Sequence, residues 1–535
     1  MIGLGVAHAG EIGGLPGEQP ALAGQDTSRS EPGTNTSTTS AQQSDGAKLA
    51  QIYCVSCHLF PEPTLLDKGT WEREALPFMS KWLGISRMNL DIRPGRRFVE
   101  TAGVFPTSAI VSTNVWQTIC RYYVESAPAA PLPQAPHAPI QKRLRGFEVI
   151  NPDYRFQVPL TTLVEIDSAR RQFFLGDAGI KTLNVLDGSG KMQFSMPLES
   201  APVSVTLKGD VAYVTLIGSV VPSDEPEGKV IRLARTPTGL VREADLAANL
   251  TRPAGTVFGD LNNDNREDFA VCGFGNYLGR FSWFENLGGD KYSEHILFDR
   301  PGAVRAYAID LTHDGLLDLV VLMAQAREGI YLFTNKGDGS FNVRPLVEHH
   351  PAYGSSFFQL VDFNGDGFLD LLETNGDNGE YASCLKNYHG IRIYLNDGLN
   401  NFRESWFFPL NGAYKAMAAD FDKDGDLDIA AISFYPDFER TPEEGFVYLE
   451  NQGGLEFVPS SFPEALSGRW LTMDVNDLDG DGYPDIVLGS FTRGPNEVPT
   501  AVSRRWESTG PSFLILKNTS RTRPNGQGFR VIEPH

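Results

Sequence analysis

Cys54-Val-Ser-Cys57-His58 is the part of the chain whose residue types and spacing most directly imply chemistry. Two thiols three residues apart can each add to one vinyl group of a single porphyrin, and the adjoining imidazole reaches the iron from the same side. The spacing therefore predicts one covalent haem c, attached through Cys54 and Cys57 and ligated by His58. A zinc knuckle would need a second Cys/His pair nearby, and none follows. Methionine closes such an iron when the task is electron transfer. The candidates are Met79 and Met88. Met79 is preferred, because it follows an amphipathic helix starting at Trp71 and expected to end near Pro77.

A second chemistry is repeated five times. Asp477-Leu-Asp479-Gly-Asp481-Gly482-Tyr-Pro-Asp485 offers carboxylates at its first, third, fifth and ninth positions, with a glycine at the sixth. That is the ligand rhythm of a calcium loop: a hard cation, several oxygens, and one residue that tolerates positive φ. The same phrase recurs with Asp420, Asp422, Asp424 and Asp428, and with Asp362, Asn364, Asp366 and Asp370. Asp310, Thr312, Asp314 and Asp318 form a copy with a weaker third ligand. Asp260, Asn262, Asp264 and Asp268 form a copy in which Asn265 replaces the glycine. Up to five Ca²⁺ are expected.

The first aspartates stand 50, 52, 58 and 57 residues apart. A period of this length with several short strands per unit predicts a β-propeller. Phe173–Gly190 and Ala212–Leu233 read as two further blades without calcium loops, giving seven. The strand beginning at Phe147 is expected to close the ring, with Phe529-Arg-Val-Ile532 as a terminal strand beside it. Upstream, apolar residues at helical spacing lead into Cys54, and Val115–Tyr123 has one apolar helical face. The expected organisation is a disordered leader at 1–43, a small all-α cytochrome c domain at 44–127, a proline-rich linker at 128–145 and an all-β seven-bladed propeller at 146–535.

The 44–127 segment resembles a small monohaem cytochrome c, on the strength of Cys54-Val-Ser-Cys57-His58, a later methionine and an aromatic C-terminal helix. Met79 and Met88 lie closer to His58 than that family's methionine usually does. The repeats resemble the FG-GAP/VCBS calcium-binding propellers, also found in integrin α heads. The pairing is similar to bacterial exported proteins that fuse the two. It implies an exported c-type cytochrome, periplasmic or extracellular, because haem c is attached outside the cytoplasm.

The net charge of −21 argues against nucleic acid as a partner, and much of it belongs to the calcium loops. No run of apolar residues is long enough to cross a membrane as a helix. Cys120, Cys272 and Cys384 read as unpaired thiols. In four-stranded blades the connections between second and third strands lie opposite the calcium loops. Three of these are long: 374–390, 433–445 and 489–511. At the channel mouth on that face, Arg305, Tyr307, Tyr353, Tyr414, Lys415, Arg469 and Trp470 are expected to form a shared ligand pocket, unless they cap the core. No catalytic constellation stands out. The expected function is electron transfer, with the propeller docking a redox partner or a small ligand. The alternative is a haem-linked oxidoreductase, or a lyase, acting on a small molecule such as a sugar.

Overall fold

The computed structural model describes residues 37–89, 94–379, 384–495 and 498–520. Seven four-stranded antiparallel sheets make up most of it. Each of blades 1 to 6 is a meander of four consecutive strands, at 161–197, 202–250, 253–298, 303–349, 355–409 and 413–460. Blade 7 takes three strands from 470–518 and its fourth from Phe147–Ile150, which pairs antiparallel with Phe513–Asn518. This closure leaves no open edge between the first and last blades. Among the described residues the neighbour of the Phe147 strand is Phe513–Asn518; the expected terminal strand Phe529–Ile532 lies outside the described residues.

The repeat is visible in the pairing as well as in the loops. Every innermost strand carries a β-bulge at its second residue: Thr162, Val203, Ala254, Val304, Ser356, Tyr414 and Leu471. A bulge adds one residue to one strand and bends it. Blades 1 and 2 have the bulge without a calcium loop, so they belong to the same repeat.

The helices are α1 (Ser37–Tyr53), α2 (Lys68–Thr70), α3 (Leu76–Trp82), α4 (Arg96–Ala102), α5 (Thr113–Ser126) and α6 (Thr500–Thr509). The Asp67 carboxylate caps α2, accepting from the N–H groups of Gly69 and Thr70. A π turn over Trp71–Ala75 joins α2 to α3, so the helix runs through Pro77 to Trp82 and does not stop near the proline. The wide turn supplies the reason: Leu76 N–H bonds the Trp71 carbonyl five residues back, shifting the ladder before the residue that lacks an N–H. Helices α1 and α5 cross closely. A Cβ on Gly46 would lie 2.6 Å from Tyr122 Cβ. Ala50, Trp71, Leu76, Trp116, Ile119 and Tyr123 form the apolar centre of this unit.

The segment after α5 runs against the propeller. Gln134 Nε2 donates to the His389 carbonyl at 3.0 Å, and Gln141 bridges to Ser460 at the edge of blade 6.

Candidate functional site

Cys54 and Cys57 lie on a single 3₁₀ turn, Cys54–Ser56, that continues α1 and ends at Cys57. Both are half-buried, and His58 is 8% exposed. Burial pushes the Cys54 thiol up to about 11 and draws the His58 imidazole toward its neutral form. His58 Nδ1 lies 2.8 Å from the Leu59 carbonyl oxygen. A carbonyl can only accept, so Nδ1 carries the proton and Nε2 keeps its lone pair. This is the tautomer that a ligating histidine adopts when a backbone carbonyl orients it. Cys57, Phe78, Met79, Met88 and Phe105 pack against Trp82, Val99, Val104 and Tyr277, so both candidate methionines share one apolar wall with the second thiol.

Tyr277 belongs to the propeller, and it is one of several places where the helical unit is seated on it. Its ring packs on Phe105 at 5.1 Å and on Trp82 at 5.9 Å. The loop that carries it is held by Asp224, whose Oδ1 accepts from the N–H groups of Tyr277 and Leu278, both at 2.8 Å. Tyr388 donates its hydroxyl to the Leu65 carbonyl at 2.9 Å, and Gly95 N–H donates to Glu225 at 3.0 Å. The His350 ring meets the His58 ring edge-on at 4.8 Å. These contacts come from the connections at 217–227, 274–279 and 376–389 and from the link between blades 4 and 5. All lie at the end of the blades opposite the acidic loops. The long connection expected to offer a free binding surface in blade 5 is thus partly covered by the chain's own helices.

The acidic nonapeptides join the first and second strands of blades 3 to 7. Their sixth residues, Asn265, Gly315, Gly367, Gly425 and Gly482, all have positive φ, between 63° and 101°. Carboxylate oxygens of Asp477, Asp479 and Asp485 converge within 4.8 Å of one another, as do those of Asp420, Asp422 and Asp424. That donor set suits a hard cation. Asp428 stands outside the second group, because its Oδ2 accepts from the Tyr448 hydroxyl at 2.7 Å. Burial pushes Asp428 up to about 8, and Asp370 and Asp485 up to about 6. In blade 3 the Arg266 guanidinium already neutralises Asp264, with Nη2 and Oδ2 2.5 Å apart.

Residues 260–321 and 310–373 match the FG-GAP-like repeat. The chain carries FG-GAP-like repeats in a seven-bladed propeller. Integrin alpha-V of Gallus gallus is 28% identical over 210 residues, covering 34% of this chain and 19% of that protein. Integrin alpha-4 of Xenopus laevis is 30% identical over 159 residues, covering 26% and 14%. Cartilage acidic protein 1 of Xenopus tropicalis is 27% identical over 175 residues, covering 30% and 24%. The chain therefore spans less than a quarter of the length of each. Among solved structures, a β-propeller domain of Myceliophteria thermophila Cps50 (Swd1) aligns over 69% of this chain and 98% of its own, with 12% identity and a TM-score of 0.42.

Each of the five repeats with an acidic loop uses a residue that the loop spacing did not point to. At the end of the third strand stands an asparagine: Asn286, Asn335, Asn396, Asn451 and Asn518. Its N–H donates to Oδ1 of the loop's ninth aspartate at 2.7–2.9 Å. Its Nδ2 donates to the carbonyl of the loop's eighth residue at 2.9–3.1 Å. The side chain of Asn335 also reaches the Leu261 carbonyl of the preceding blade at 3.1 Å, and Asn518 reaches that of Phe421 at 2.8 Å. The signal was present in the sequence as Asn-x-Gly after four of the five third strands. It reads there as an ordinary turn.

The residues expected to form a shared pocket fall into separate groups: Arg305 and Lys415 both lie over the Phe357 ring, while Tyr414 and Arg469 share the Phe434 ring. Trp470 is fully buried and donates Nε1 to the Ala465 carbonyl. Arg469 is 2% exposed, donates to the carbonyls of Phe434 and Pro495, and lies 3.8 Å over the Phe434 ring. Both are core residues, because a strand entering the blade centre turns its first side chains inward. Tyr353 is stacked between His349 and Tyr388, and Tyr414 packs on Phe434. Arg305, Tyr307 and Lys415 lie on the innermost strands of blades 4 and 6. Arg305 donates to the Tyr307 hydroxyl. Glu165 and Asp474, on the innermost strands of blades 1 and 7, share their electrostatic environment. Burial raises both acids and lowers Lys415, while opposite charges partly offset it.

Proposed function

We propose that this chain is an exported electron-transfer protein. Its helical unit carries one haem c on Cys54, Cys57 and His58. The calcium-stiffened propeller seats that unit and presents a surface to a redox partner. Bound there, haem c supplies reversible one-electron transfer. The observation that carries the reading is the setting of His58: buried, drawn toward its neutral form, its Nδ1–H spent on the Leu59 carbonyl so that Nε2 keeps the lone pair, and next in the chain to two thiols outside any disulfide. Met79 packs against both apolar clusters that flank the motif and Met88 against one, so Met79 is the preferred sixth ligand. Periplasmic or extracellular placement follows from where haem c is attached, and no helix among the described residues is long and apolar enough to cross a membrane. Ca²⁺ would be held by the loops of blades 3 to 7, and its task is mechanical: it neutralises converging carboxylates at the root of each blade.

The oxidoreductase alternative has less support, because Arg469 and Trp470 are core residues and the blade 5 connection is partly covered. The test is expression of the full chain alongside a c-type haem maturation system, with haem read as its pyridine complex and the reduced protein challenged with carbon monoxide. One covalent haem per chain and an unresponsive spectrum are expected. Cys54→Ala with Cys57→Ala should abolish covalent attachment. A matured chain without haem would refute the reading, and a spectrum that shifts with carbon monoxide would favour the oxidoreductase.

A further inference from the structure

His58 and His350 come from different parts of the fold and meet edge to face, their ring centroids 4.8 Å apart and their planes at 80°. Their backbone partners set them in opposite tautomers. The Leu59 carbonyl can only accept, so His58 carries its proton on Nδ1. The Ala352 N–H can only donate, and it donates to His350 Nδ1 at 3.0 Å. A neutral His350 therefore carries its proton on Nε2. That Nε2 is buried and has no hydrogen-bond partner among the described residues. A buried N–H without an acceptor is costly, and such groups are nearly always engaged. The His58 ring packs against the His350 ring nearly at right angles, and the π face of an imidazole is a weak acceptor.

We propose that His350 is a propeller-borne positioning residue for His58: its Nε2–H rests against the imidazole ring, fixes the plane of that ring and withdraws electron density from it. The inference rests on the reading of His58 as the haem ligand. It also says what His350 is not. A ring whose Nδ1 is committed to accepting a backbone N–H has its proton, not its lone pair, at Nε2, so His350 is not an axial ligand. A less electron-rich His58 favours the reduced iron. The reduction potential would thus depend on a residue of the propeller, and the seat between the two parts of the chain would tune the redox centre as well as hold it.

The test uses the full haem-loaded chain and two substitutions. His350→Asn keeps a side-chain acceptor for the Ala352 N–H, as asparagine does at helix starts, but removes the ring. His350→Phe keeps a ring and removes both nitrogens. Midpoint potential and the electron paramagnetic resonance of the oxidised protein are measured, with haem content on the same samples. Both variants should lower the reduced-to-oxidised ratio at a fixed potential by roughly threefold, the size expected of a weak N–H to ring contact. That corresponds to a drop of about 30 mV at 59 mV per tenfold for one electron. The spin state should not change. Unshifted potentials in both variants overturn the proposal. So does a shift in only one of them, which would assign the effect to the Ala352 turn or to ring bulk. Conversion to high spin in His350→Asn also overturns it, because His350 would then be a ligand. A wild-type chain without haem removes this inference together with the reading it rests on, whereas haem with an unmoved potential removes this inference alone.

Discussion

Asn335→Ala should cost far more stability than Asn286→Ala, although the two asparagines occupy the same place in adjacent repeats. Asn335 is buried, and its side chain makes three bonds: Nδ2 to the Leu317 carbonyl at 2.9 Å, Nδ2 to the Leu261 carbonyl at 3.1 Å, and Oδ1 from Gly337 N–H at 2.8 Å. The Leu261 bond crosses from blade 4 to blade 3. Asn286 is only half-buried and makes two bonds, to the Glu267 carbonyl and from Gly288 N–H, both local. A net hydrogen bond contributes about 1 kcal/mol, and a buried group left without a partner costs about 1–3 kcal/mol. Truncating Asn335 removes three bonds and strands buried carbonyls, so about 4 kcal/mol is expected. Truncating Asn286 removes two bonds and leaves groups that water can reach, so about 1.5 kcal/mol is expected. Denaturant unfolding of the propeller, followed by tryptophan fluorescence and far-ultraviolet circular dichroism, measures both. If the two variants lose equal stability, the bond between blades is not a staple and the reasoning fails. Asn518→Ala is the internal control, since Asn518 makes the equivalent crossing to Phe421 and should behave like Asn335→Ala.

Chelation of calcium should lower the melting temperature of the propeller, since a site held a hundredfold above its dissociation constant contributes about 2.7 kcal/mol. Asp477→Asn should remove more of that calcium-dependent shift than Asp260→Asn, because Arg266 already neutralises Asp264 in blade 3; equal losses would refute the ranking. Gly46→Val should loosen the helical unit, because the new side chain meets Tyr122 Cβ where only 2.6 Å is open. Hydrogen exchange in α1 and α5 should accelerate while the blade strands keep their protection. Burial lifts Glu444 from 4.5 to about 7, so the unfolded chain ionises first and stability is lost as pH rises from the unfolded value through 7. Glu444→Gln removes this dependence, and the stability of wild type relative to the variant should fall by about 2–3 kcal/mol between pH 5 and pH 8; a difference independent of pH would refute it.

The repeat was legible because its signals are local. Five acidic nonapeptides in register, two further units of alternating apolar strands and an N-terminal strand able to close the ring were enough for seven blades. The positive φ at Asn265 and at the four glycines could be read from residue type alone. The partner of the closing strand, Phe513–Asn518, could not, because pairing between the two ends of the chain leaves no local pattern in the sequence. Arg469 and Trp470 were misplaced for a related reason. An aromatic or cationic residue at a strand start looks the same in sequence whether it faces solvent or the adjacent blade, and here Ala465, Phe434 and Pro495 supply carbonyls that hold both inward.

By itself the sequence determined the chemistry that two or three neighbouring residues can hold: the thiol–thiol–imidazole run at 54–58, the spacing of carboxylates in the acidic loops, and the period that stacks blades. Such patterns are fixed by bond lengths and backbone dihedrals over a few residues, so their spacing is their geometry. Only the tertiary structure decided what faces them. The helices could have hung free on a proline-rich tether. Instead Tyr277, Tyr388 and His350 seat them on blades 3 to 5, with the His350 ring against His58. That docking depends on the shapes of loops from several blades assembled at one end of the propeller. No local pattern records it, because the free energy that selects it comes from surfaces that exist only once each part has folded.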